Sequence, residues 1–89
     1  MSFNPESYGA KRGDVCPYCG SWNFEDVDYG DTIYGYENLQ YEPTFCKCNA
    51  CGKEFVIFNE YALEHVGTYV GPLETFYPER VRSNNRRRL

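Results

Sequence analysis

The stretch "CPYCGSW", residues 16–22, decides the fold, because its spacing returns in "CKCNACGKEF", residues 46–55. Cys16, Cys19 and Gly20 correspond position for position to Cys48, Cys51 and Gly52. Two residues between cysteines let a tight turn aim both sulfurs at one point about 2.3 Å from a zinc ion. Amides of the turn can donate to the thiolates and temper their charge. A glycine follows each pair because the chain leaves such a turn through positive φ, which costs glycine least. Pro17 fixes φ where the first turn begins. Four thiolates with no open position describe a structural site for one Zn²⁺, with Cys16, Cys19, Cys48 and Cys51 as ligands. The competing reading is redox or core cysteines. A redox Cys-x-x-Cys belongs in a βαβ setting, which this chain lacks. Cys46 lies two residues before Cys48 and so faces the same side of a strand. It reads as a buried or half-buried free thiol. His65, the single histidine, has no visible partner and reads as a surface or packing residue.

Outward from the cysteines, composition sets the bounds. Eighty-nine residues make one small domain, and a chain so short often needs a metal or disulfides to offset the entropy of folding. Five cysteines would leave a full disulfide framework with one thiol over. The N-terminal residues carry no run that reads as a signal peptide, and no stretch approaches the roughly 20 apolar residues of a membrane span. These features predict a reducing compartment, the cytoplasm or a eukaryotic nucleus. All thirteen acidic residues fall in residues 1–79, against Lys11, Arg12, Lys47 and Lys53. Residues 80–89 hold Arg80, Arg82, Arg86, Arg87 and Arg88 and no acid. An acidic body with a basic tail argues against a broad duplex-binding face, which needs clustered Lys and Arg.

Along the chain, residues 1–14 read as a flexible lead-in and residues 15–61 as the metal-binding unit. "SWNFEDVDY" (21–29) predicts a strand, with its alternation broken at Glu25 and Asp26 by a bulge or a slip. "GDTIYGYEN" (30–38) suits a turn or hairpin loop, and "LQYEPTFCKC" (39–48) a returning strand. Pro43 lacks an amide donor, which predicts that this part of the strand lies at an edge or before regular pairing starts. "KEFVIFNEY" (53–61) is the densest strand sequence. "EYALEHV" (60–66) predicts one or two helical turns before Gly67 and Gly71-Pro72. Residues 62–79 are expected to pack on the unit, extended or as a short helix, and residues 80–89 to be a basic disordered tail.

"EPTFCKCNACGKEF" (42–55), with "CPYCG" (16–20) before it, resembles the zinc ribbon of transcription elongation factor S-II and its relatives among RNA polymerase small subunits. Zinc-ribbon starts of phage-type primases look similar. The resemblance covers residues 16 to about 58. It implies a small all-β fold, a three-stranded antiparallel zinc ribbon, with the same four cysteines as ligands. The elongation factor carries an adjacent Asp-Glu pair at its hairpin tip, which helps place a metal ion for transcript cleavage. Here Glu42 matches the Glu, and Tyr41 stands in place of the Asp. Asp31, Glu37 and Glu42 are the nearby acids, and without a carboxylate pair metal-assisted cleavage is disfavoured.

Sixteen aromatics exceed what so small a core hides. Tyr29, Tyr34, Tyr36 and Tyr41 either form a contact platform for bases or protein or cover a thin core with their hydroxyls in water. Nearby acids favour a basic protein surface over nucleic acid. The arginines of the tail suit phosphates or carboxylates of a partner; a solvated extension is the plain alternative. The expectation is a non-catalytic zinc-ribbon interaction module that docks on a larger transcription or nucleic-acid-processing complex such as RNA polymerase. Its contact residues are Tyr34, Tyr36, Glu37, Tyr41, Arg80, Arg82, Arg86, Arg87 and Arg88, with no membrane and no small-molecule substrate. The alternatives are a transcript-cleavage-type elongation factor using hairpin acids and a stand-alone binder of single-stranded nucleic acid.

Overall fold

The computed structural model describes residues 3–81. It is built on one mostly antiparallel sheet with few helical residues. Strands β1 (Lys11–Arg12), β2 (Phe24–Tyr29), β3 (Ile33–Tyr34), β4 (Gln40–Cys48), β5 (Glu54–Ala62) and β6 (Glu64–Pro72) precede a helical turn, α1 (Leu73–Phe76), and residues 78–81 are helical as well. Among the described residues the sheet order is β1-β6-β5-β4-β2, with β3 also paired to β4. Strands β2, β4 and β5 form an antiparallel set of neighbours, and β6, β1 and β3 bring it to six strands where three were expected.

Alternation explains why β5 reads as an unbroken apolar run. Register pairs Phe45 with Val56 and Pro43 with Phe58, while Cys46 pairs with Phe55 and Thr44 with Ile57. Tyr41, Phe45, Val56, Phe58, Tyr69, Ala10 and Leu73 therefore build a core on one face, against Phe3, Phe76, Tyr77 and Val81. Phe55, Ile57, Val70, Cys16, Cys46 and Cys48 build a second core on the other, with Phe24 against it. A strand covered on both faces has no polar face to alternate with.

Several expectations give way to tertiary contacts. Residues 60–66 are not helical: β5 continues to Ala62, Leu63 turns at φ 73°, and β6 pairs back from Glu64. Helix-favouring Ala, Leu and Glu lose here to the ladder that β5 templates. Residues 64–72 are accordingly a full strand of the sheet rather than a segment lying over it. The N-terminal residues are anchored: Asn4 caps a 3-10 turn at Pro5–Tyr8, Phe3 packs on Phe58 and Tyr41, and β1 pairs with β6. Pro43 pairs with Phe58 of β5 on one side, and its other side lies outside regular pairing, as the missing donor requires. Its carbonyl accepts from Gly30 N–H at 3.0 Å, so its donor-less nitrogen points the same way. Neither β2 nor β3 pairs with residue 43 on that side. The bulge falls between Asp26 and Asp28, one step after its expected place.

Candidate functional site

The two cysteine knuckles have one backbone design. In the first, Cys16 N–H donates to Ser21 O (3.0 Å) and Gly20 N–H to Cys16 O (2.8 Å); in the second, Cys48 N–H donates to Lys53 O (2.9 Å) and Gly52 N–H to Cys48 O (2.9 Å). Gly20 and Gly52 leave these turns at φ 76° and 77°, where a side chain would be strained. In each knuckle the first cysteine is buried and the second exposed. The register of Phe24 opposite Cys48 brings the first knuckle beside the second.

The four sulfurs converge. All lie within 4.8 Å of one another, with Cys16 Sγ to Cys51 Sγ at 3.7 Å and Cys19 Sγ to Cys48 Sγ at 3.6 Å. No disulfide joins them. Thiolates about 2.3 Å from a central ion at tetrahedral corners stand about 3.8 Å apart, so the donor set fits a closed four-sulfur metal site. The N–H of Cys51 approaches Cys48 Sγ at 3.5 Å and, with the Ala50 backbone, holds the Cys48 thiol low, at about 6, against its burial. Cys19 goes the other way, to about 12: the Ser21 backbone lowers it, but desolvation and the thiols of Cys48, Cys16 and Cys51 outweigh that pull. Sulfurs this close do not all ionise unaided, and a divalent cation is what lets four thiolates coexist. Lys53 Nζ lies 4.8 Å over the Tyr18 ring, tying one knuckle to the other.

Cys46 is fully buried beside this set but outside it. Its thiol donates to Asp26 Oδ1 at 3.5 Å; burial first, then the Asp26 charge, pushes it up to about 12. His65 Nε2 lies 3.3 Å from Asn59 Oδ1, and its ring meets Tyr61 edge-on.

At the opposite end of β4 and β5, the β3–β4 and β5–β6 hairpin tips enclose an open groove of ≈590 Å³. Tyr34, Glu37 and Glu42 line it together with Leu39, Tyr61 and Leu63. Of the expected contact residues, Tyr34 and Tyr36 are exposed. Tyr41 is not available: it is 3% exposed, and its hydroxyl donates to Glu60 at 2.7 Å. Strand parity puts Tyr41 on the core side with Phe45, two strand repeats along. Arg80 is engaged within the chain, 3.0 Å from Asp28 and 3.9 Å over the Phe45 ring. Arg82, Arg86, Arg87 and Arg88 lie outside the described residues. Asp31 is not among the groove's lining residues, whereas Tyr61 and Leu63, which sequence reasoning missed, are. The signal for them was hidden in a segment that reads as helix. Among the described residues no helix is long and apolar enough to cross a membrane.

Set against family models, curated proteins and solved structures, the chain matches none of them.

Proposed function

We propose that the protein is a non-catalytic zinc-ribbon interaction module. One structural Zn²⁺ held by Cys16, Cys19, Cys48 and Cys51 organises one end of the sheet, and the hairpin end docks on a larger complex of transcription or other nucleic-acid processing. The observation that carries the metal reading is the convergence of four sulfurs within 4.8 Å on two matching knuckles. The antiparallel neighbours β2, β4 and β5, which all end at those knuckles, support the ribbon reading. Four protein donors leave no coordination position for substrate, which favours a structural role over a catalytic one.

The docking half rests on the acidic groove between the hairpin tips and on the sequence of the tail. Carboxylates steer a basic protein surface and repel phosphate. The tail arginines Arg82, Arg86, Arg87 and Arg88 are suited to nucleic acid or an acidic partner.

The test is capture of partners by the zinc-loaded full chain from lysate, with and without nuclease, followed by identification of what is retained. A transcription or replication complex held after nuclease treatment is expected. Retention that disappears with nuclease would instead identify a nucleic-acid tether.

A further inference from the structure

We propose that the groove between the two hairpin tips binds an extended segment of a partner protein that presents arginine or lysine. The inference rests on the docking reading above and names the chemistry of its occupant.

The protein seats its own cations in a recurring way, on an aromatic ring with a carboxylate alongside. Arg12 lies 4.0 Å over the Tyr69 ring and 3.0 Å from Glu60. Arg80 lies 3.9 Å over the Phe45 ring and 3.0 Å from Asp28. The groove brings the same two components together, the rings of Tyr34 and Tyr61 and the carboxylates of Glu37 and Glu42, and no Lys or Arg lines it. Among the described residues neither of these carboxylates has an ion-pair partner. A guanidinium or ammonium satisfies both components at once, by cation–π attraction and by charge.

A peptide segment fits better than a free cation or a nucleic acid. Asn38 and Gln40 also line the groove, and side-chain amides both donate to and accept from a visiting backbone. Leu63, 98% exposed, stands at the rim as an apolar contact for a neighbouring side chain. Phosphate would meet the two carboxylates of Glu37 and Glu42 instead.

The experiment uses the zinc-loaded full chain and a fluorescein-labelled peptide of alternating glycine and arginine, read by fluorescence anisotropy at low ionic strength. A glycine–glutamate peptide and a labelled oligothymidylate serve as comparison probes. The arginine peptide is expected to bind, and Glu37→Gln with Glu42→Gln is expected to weaken it about tenfold. Tyr34→Ala is expected to weaken it as well. Glu74→Gln with Glu79→Gln, which removes equal charge from the helical segment, is expected to leave it unchanged. Zinc content and circular dichroism check that each variant is folded.

An equal loss in the Glu74/Glu79 variant would reduce the effect to net charge and overturn the site. Tighter binding of oligothymidylate through the same residues would overturn the choice of a protein partner. Peptide binding that strengthens on truncation after Val81 would identify the chain's own tail as the occupant and overturn it too. Partner capture that persists in the Glu37/Glu42 variant would overturn the groove and leave the docking module standing. Peptide binding without any captured complex would do the reverse.

Discussion

Tyr41 and Glu60 show how one residue's orientation changes a functional reading. Among the described residues Glu60 is the buried charged one, 4% exposed, and it is held there by the Tyr41 hydroxyl at 2.7 Å and by Arg12 at 3.0 Å. Removing that hydroxyl leaves a desolvated carboxylate short of a donor, so Tyr41→Phe is expected to cost about 2 kcal/mol in urea unfolding. Desolvation first, then the bond and charge of Glu60, raise the Tyr41 pKa above its ordinary 10.0. A group raised in the folded state contributes its full stability below the unfolded value and loses it as pH rises towards the folded one. Stability is therefore expected to decline above about pH 10, with a shallower decline in Tyr41→Phe. Cys46 makes a complementary case. As a buried thiol outside the sulfur cluster, Cys46→Ser is expected to retain one zinc per chain by elemental analysis, whereas Cys48→Ser is expected to lose it.

At the scale of elements, α1 and the strand before it meet through a glycine. A Cβ on Gly71 would stand 2.6 Å from Phe76 Cε2 and 3.3 Å from Ala10 Cβ. Phe76 is itself set among Phe3, Tyr8 and Phe58, so it has little freedom to withdraw. Gly71→Ala is expected to cost about 1–3 kcal/mol by overpacking, seen as a lower Tm with unchanged zinc content, because the cysteines pack in the core on the other face. The strands themselves were legible to different degrees. Residues 54–62 are dense in β-formers and form β5 as the composition predicts. Strand β6 was hidden, because "EYALEHV" favours a helix locally and only pairing with β5 makes it extended. Strand β1 is two residues long, too short to carry any periodic signal, and exists through its partner.

For the whole molecule, the cysteine cluster and the second core are one structure. Cys16 and Cys48 pack with Phe55, Ile57 and Val70, so an ion held by the four sulfurs would also brace one face of the sheet. Binding on the order of 10 kcal/mol is comparable with the stability of an entire small domain. Treatment with a chelator is expected to abolish cooperative thermal unfolding followed by circular dichroism, and stoichiometric Zn²⁺ to restore it. A chelated protein with unchanged Tm would show that the aromatic core on the opposite face suffices alone. That core is substantial, since Phe3, Phe58, Phe76 and Tyr77 interlock across its outer layer, and the outcome measures the division of labour between them.

By itself the sequence determined the set of four converging cysteines. A Cys-x-x-Cys-Gly turn is closed by bonds within six residues, and its repeat announces a shared centre. Tertiary structure alone decided which tyrosines face solvent, because a strand's inward side depends on register with its neighbours. It also decided the groove, whose walls come from two hairpin tips far apart in the chain. No local pattern encodes that meeting; the ladder between β4 and β5 creates it.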